Sequence, residues 1–307
     1  MANPPIIVTG GSGHLGGWVV HLARAEWDVT ATYLTRPWSA PGVDWRQLDV
    51  RDRAAVAALI REVRPRVIVH TAALNPGQGT AFEAVNVDGT RHVARAVALV
   101  GARLIHVSTD VVFDGEKGSY VEEDPPSPLT PYGRSKALAE QAVRASGARA
   151  VIVRTSLIYG PAVGARRTPL RNTSWQEWDR QTRWVVGDLR TGTPVRLFTD
   201  ERRCPIWVES LAAALLELSR SEDVGPSLPP GLLHVAGAQP LSRYQFGLRL
   251  ARFHRVDPRA IAPALSSDSG LIRPLDCTLD CTRARALLHT PLPGVDEVLC
   301  RGEGGDR

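Results

Sequence analysis

The chain has 307 residues, 43% hydrophobic and 22% charged, with a formal net charge of +5. That size and balance suit one large α/β domain, or a domain with a smaller lobe, and they exclude a disordered or low-complexity chain. No apolar run reaches the ~18 residues of a membrane span, and the arginines are scattered rather than gathered. A cytoplasmic protein is therefore expected, with neither membrane nor nucleic acid as partner.

Residues 5–9 read as a short apolar strand that enters Gly10-Gly11-Ser12-Gly13-His14-Leu15-Gly16 and then an apolar helix. In the spacing of Gly10, Gly13 and Gly16, the first glycine permits a tight turn. The second lets backbone approach a pyrophosphate, and the third lets the helix pack on the strand. A helix N-terminus in that position presents unpaired N–H groups to phosphates. Residues 29–34 form the next strand, and its end is where a dinucleotide ribose is read. A carboxylate there would select a free 2′-hydroxyl, but the chain has Thr35-Arg36, which suits a 2′-phosphate and favours NADP(H) over NAD(H). Arg36 can also be read as one more surface arginine. Residues 47–52 suggest a third strand, with Asp49 placed to accept a hydrogen bond from adenine, and a helix follows over 54–63.

Residues 65–73 read as a buried strand running into Ala72 and Ala73, small enough for a cofactor to pass close. A helix containing Asn86 extends to about residue 100, and a strand over 104–108 ends at Thr109. Active groups are expected at such carboxyl ends of parallel strands. Pro131 then starts a helix carrying Tyr132 and Lys136, four residues apart and so on one face. An ammonium beside a phenol favours the phenolate and brings the tyrosine nearer to useful acid–base range. Of the 37 basic residues only Lys117 and Lys136 are lysines, so this pairing is unlikely to be accidental.

Strand and helix alternate as far as residue 155, which predicts a Rossmann-type, doubly wound parallel sheet. The pattern loosens after residue 160. Trp175, Trp178 and Trp184 lie among arginines and suit either a flat charged ligand or a lid or oligomer contact. A dinucleotide-binding domain over 1–160 and a smaller, mainly substrate-binding lobe over 161–307 are expected, with strands near 195–199 and 232–236 returning to the large sheet. A proline-rich linker is read at 225–231 and a flexible tail at 302–307. Cys204, Cys277, Cys281 and Cys300 show no Cys-x-x-Cys spacing, which points to reduced thiols rather than a metal site.

Taken together, the glycine triplet, Ser108-Thr109-Asp110-Val111-Val112-Phe113-Asp114-Gly115, Pro131-Tyr132-Gly133-Arg134-Ser135-Lys136 and the late Arg273-Pro274-Leu275-Asp276 carry a resemblance. The chain resembles an extended short-chain dehydrogenase/reductase of the dTDP-4-dehydrorhamnose reductase branch. The resemblance implies Thr109, Tyr132 and Lys136 as catalytic residues, hydride transfer from NADPH to the C4 ketone of a nucleotide-linked sugar, and a homodimer as a compatible assembly. It assigns Gly10, Gly13, His14, Leu15, Gly16, Arg36, Asp49, Val50, Ala72, Ala73, Asn86, Ser108, Tyr132 and Lys136 to the cofactor. Thr109, Asp110, Val111, Tyr132 and Arg203 fall to the substrate. Departures at Val111, Leu157 and residues 200–206 touch the expected sugar pocket. Two other readings stay open: a nucleotide-sugar epimerase or dehydratase, and a non-catalytic NADP-binding subunit resembling the regulatory subunit of methionine adenosyltransferase.

Overall fold

The computed structural model describes residues 3–38, 40–164, 170–220 and 231–301. The chain runs through β1 (Pro5–Thr9), α1 (His14–Ala23), β2 (Asp28–Tyr33), β3 (Val43–Gln47), α2 (Arg53–Val63), β4 (Val67–His70), α3 (Gly89–Val100), β5 (Arg103–Thr109), α4 (Pro131–Arg144) and β6 (Arg149–Thr155). It continues through β7 (Ile158–Tyr159), α5 (Arg180–Arg190), β8 (Val195–Phe198), β9 (Arg202–Arg203), β10 (Ile206–Trp207), α6 (Val208–Arg220) and β11 (Leu232–His234). The last elements are β12 (Leu241–Ser242), α7 (Arg243–Phe253), β13 (Ile261–Ala264), α8 (Thr282–Leu287) and α9 (Val295–Arg301).

Seven strands form one parallel sheet in the order β11-β6-β5-β4-β1-β2-β3. Its apolar residues alternate between two cores, as the two-residue period of a strand requires. Ile6, Val8, Val69, Ile105 and Val153 face α1 and α6, whereas Ile7, Ile68, Leu104 and Ile152 face α2, α3 and α4. Each such fully buried side chain stabilises the fold by about 1.5–3 kcal/mol. The strand order reverses between β1 and β4, and a crevice opens there at the carboxyl ends.

Two strand expectations change. The stretch over 47–52 is not a strand: β3 ends at Gln47, and residues 48–52 turn into α2, whose N-terminus Asp52 caps through bonds from the Ala54 and Ala55 amides. The strand expected at 195–199 does not return to the large sheet. As β8 it pairs in parallel with β13 in a separate two-stranded sheet, while β11 does join the large sheet beside β6. The linker and tail expected from sequence lie largely or wholly outside the described residues. Trp178 is buried against Trp207 and Phe253 in a third apolar cluster, which gives it a packing role, and Trp184 stays exposed. No described helix is long and apolar enough to cross a membrane.

Candidate active site

The crevice is built first from glycines. Gly10 has φ of +69°, in the left-handed region, and a Cβ on it would lie 2.8 Å from the Ala72 backbone, so β1 and β4 meet there without side-chain bulk. A Cβ on Gly16 would stand 2.2 Å from the Gly10 carbonyl oxygen, which locks α1 against the turn. Gly13 occupies the N-cap of α1 with no capping side chain. The amides of the first helical turn therefore keep their donors for an external acceptor. A cradle of this shape, floored by Ala72 and Ala73 at half-buried positions, fits the pyrophosphate of a dinucleotide. Leu15 is buried in the core behind it.

His14 reaches sideways instead. Its buried Nε2 has no hydrogen-bond partner among the described residues, and burial pulls its pKa down, while Asp179 beside α5 opposes the shift. Arg180 of α5 donates to the Pro76 carbonyl at 3.0 Å, so this helix also touches the loop after β4.

Tyr132 and Lys136 are set by the way α4 begins. Thr130 caps it by accepting from the Gly133 amide at 3.0 Å, and Pro131 occupies the first turn, where a missing N–H costs nothing. A Cβ on Gly133 would come within 2.1 Å of the Val111 carbonyl oxygen, so the helix start docks backbone to backbone on the turn after β5. That contact brings half-buried Tyr132 to Thr109 at the end of β5. The Tyr132 ring also packs edge-on against Phe82 at 5.9 Å.

The electrostatics differ from expectation at the phenol. Burial first, and then the charge of Asp110, push the Tyr132 pKa up, and a hydrogen bond with the Thr109 hydroxyl pulls only partly against them. Lys136 donates to the Val107 carbonyl at 2.7 Å and is drawn down to about 8 by burial, with Glu140 opposing. In this arrangement, then, the ammonium does not bring the phenol toward neutrality. The protonated phenol is the stable form, which suits an acid.

Asp110 is buried, and burial raises its pKa against the pull of Arg203 and a 2.6 Å hydrogen bond from Ser156. The Arg203 side chain lies 3.7 Å from Asp110 and donates to the carbonyls of Arg202, Leu275 and Pro274 at 2.7–3.0 Å. Its donors are mostly committed to holding the segment around residue 274. Close by, Arg243 is lowered to about 10 by burial and by Arg203, with Glu201 working against the shift, and it donates to Gln181 at 2.6 Å. Arg273 also pairs with Glu201. Three guanidinium groups thus surround one buried glutamate, an excess of positive charge on the lobe side that sequence spacing did not reveal.

Several residues expected at the cofactor have their side chains committed elsewhere. Asn86 accepts from the Leu74 amide at 2.8 Å and donates to the Leu74 carbonyl and Ser135 Oγ, both at 3.0 Å. It ties the loop after β4 to α4. Ser108 Oγ donates to Glu140 at 2.7 Å, away from the crevice. Asp49 is clasped by Arg51, and the Val50 carbonyl takes a hydrogen bond from His92 at 3.1 Å. Arg36 is exposed past the end of β2 with no partner among the described residues. Val111 is half-buried, with its carbonyl against Gly133. Sequence reasoning missed Glu140, although it lies one helical turn from Lys136; Arg154, its main partner, carries no local signal.

Comparison with known proteins places this geometry among relatives. The model of the RmlD substrate binding domain matches residues 4–301. A dTDP-4-dehydrorhamnose reductase of Mycobacterium tuberculosis is 32% identical over 274 residues, covering 85% of this chain and 79% of that protein. The methionine adenosyltransferase 2 subunit beta of Pongo abelii is 28% identical over 300 residues, covering 93% and 83%. Among solved structures, the dTDP-4-dehydrorhamnose reductase of Bacillus anthracis in complex with NADP superposes with a TM-score of 0.79 at 24% identity, over 98% of this chain and 99% of that one.

Proposed function

The chain belongs to the RmlD substrate binding domain family, and from that membership we propose that it is an NADPH-dependent reductase of a nucleotide-linked 4-keto sugar, like dTDP-4-dehydrorhamnose reductase. The observation that carries the reading is the docking of Gly133 on Val111, with Tyr132 hydrogen-bonded to Thr109 at the carboxyl end of β5. When bound, the nicotinamide cofactor supplies the hydride. The rest falls to the chain. The Thr109 hydroxyl orients the substrate's C4 oxygen, Tyr132 holds a proton and gives it to that oxygen, and Lys136 contributes a positive charge behind the phenol. The backbone amides of His14, Leu15 and Gly16 and the backbone near Ala72 and Ala73 would hold the pyrophosphate. Exposed Arg36, without a partner among the described residues, supports a preference for the 2′-phosphate of NADP. The lobe supplies the substrate side, where the guanidinium groups of Arg243 and Arg273 suit a diphosphate. The enzyme would work in the cytoplasm, with a homodimer as a compatible assembly.

The test is NADPH oxidation by the purified protein with dTDP-4-dehydro-6-deoxy-L-lyxo-hexose, with NADH run in parallel. Sustained turnover, faster with NADPH, is the expected result. A protein that binds NADPH yet turns over no keto sugar would overturn the reading. The similarity to methionine adenosyltransferase 2 subunit beta favours one other role, that of a regulatory subunit, and co-purification of a catalytic partner with an inactive chain would support it.

A further inference from the structure

One turn along α4 from Lys136 lies Glu140, whose side chain is 0% exposed. Four donors fix its carboxylate. Ser108 Oγ lies at 2.7 Å, Arg154 Nε and Nη2 at 2.9 and 2.8 Å, and Arg144 Nη2 at 3.2 Å. Arg154 is itself buried, with its guanidinium over the Phe113 ring and one nitrogen 3.5 Å from His234. The carboxylate is therefore held still by groups from β5, β6 and its own helix.

Of the other carboxylates on the elements packed against α4, Asp88 pairs with Arg91 and Glu83 is exposed, so neither replaces it. His70 on β4 and His106 on β5 stack at 5.4 Å, and both are kept neutral: burial takes His70 down to about 3 and drives His106 well below its ordinary value. Arg154 on β6 and Arg144 on α4 are cations. Tyr132 is held protonated, and Asp110 after β5 is engaged with Ser156 and Arg203.

We propose that Glu140 is a positioning residue for Lys136: its locked carboxylate keeps the buried ammonium charged and fixed on the Val107 carbonyl, behind the proton-donating tyrosine. The consequence for turnover rests on the reductase reading, whereas the charge relation needs only two buried side chains one helical turn apart. Burial by itself strips protons from lysine, and a carboxylate one turn away opposes that. Arg154, Arg144 and Ser108 occupy the carboxylate's acceptor sites, so that it does not swing onto Lys136 and pull the ammonium from its carbonyl.

The chain contains only two lysines, Lys117 and Lys136, so the ammonium can be observed directly. In protein labelled with [13C]lysine, the two Cε resonances are followed by NMR through a pH titration, with Lys117, ion-paired to Asp124 at the surface, as the internal reference. Glu140→Gln should lower the Lys136 midpoint by roughly one unit or more and leave Lys117 unmoved. Arg144→Gln, at a side chain 37% exposed and so safe for folding, removes a competing cation and should raise the Lys136 midpoint. If Glu140→Gln does not fold, Arg144→Gln carries the test. An unchanged Lys136 midpoint in the folded Glu140→Gln protein, or an unchanged or lowered one in Arg144→Gln, would reduce Glu140 to a structural counter-ion of Arg154. No keto-sugar turnover together with the expected shifts would count against the reductase and leave the positioning role standing.

Discussion

Tyr132 is the residue at which chemistry and binding separate. Its hydroxyl carries the proton, but its ring rests on Phe82 and its helix is held by Thr130 and Gly133, so Tyr132→Phe should keep the fold and the cofactor. Turnover should fall by roughly 10²-fold or more, measured as kcat beside an NADPH dissociation constant that stays near wild type; wild-type kcat would remove the assignment. Arg36 is tested by selectivity, because a fixed cation at a 2′-phosphate acts on one cofactor alone. Arg36→Ala should raise the Kd for NADPH several-fold and barely change that for NADH, and equal losses would make it a surface arginine. The Thr109, Tyr132 and Lys136 arrangement was legible because helical spacing and strand ends are local geometry. Asn86 and Ser108 were not, because a short polar side chain can satisfy a neighbouring backbone or carboxylate as readily as a ligand, and sequence does not say which lies within 3 Å.

At the scale of elements, the site depends on how closely α4 approaches the turn after β5. Gly133 is not required there by its backbone conformation, since it lies in helix; it is required by space, with the Val111 oxygen where a Cβ would stand. Gly133→Ala should push the helix start outward, costing about 1–3 kcal/mol as overpacking and displacing Tyr132 from Thr109. A fall of 10-fold or more in kcat/KM, with a Tm drop of a few degrees, is the expected pair of readings, and full activity would mean that the docking can relax. The doubly wound half was readable because alternating apolar residues and glycine-marked turns recur from β1 to β6. The fate of β8 was not, for Val195 and Leu197 alternate as they would in any sheet. Its true partner, β13, contains Pro263, which disguises it as a loop.

Across the whole molecule, β11 and α6 tie the later chain to the large sheet by pairing and apolar packing, and Arg203 adds a buried charge contact to the turn after β5. Its guanidinium faces Asp110 at 3.7 Å and Glu201 at 3.9 Å and holds the carbonyls of Pro274 and Leu275. Burial raises the Asp110 pKa in the folded protein, so the native state holds that proton more tightly than the unfolded chain does. The contribution of Asp110 to stability is therefore full below the ordinary carboxylate range and is lost as pH rises through its folded value. Arg203 limits that loss by favouring the charged form. Arg203→Ala should raise the folded pKa further and leave buried carboxylates short of their cation, at a cost of about 3–5 kcal/mol near neutrality. The distinguishing measurement is the gap in unfolding free energy between wild type and Arg203→Ala at pH 5 and at pH 7. A gap that widens toward pH 7 is expected, because the variant must then ionise Asp110 without the Arg203 guanidinium. A gap of equal size at both values would mean that Arg203 acts only through the carbonyls it holds.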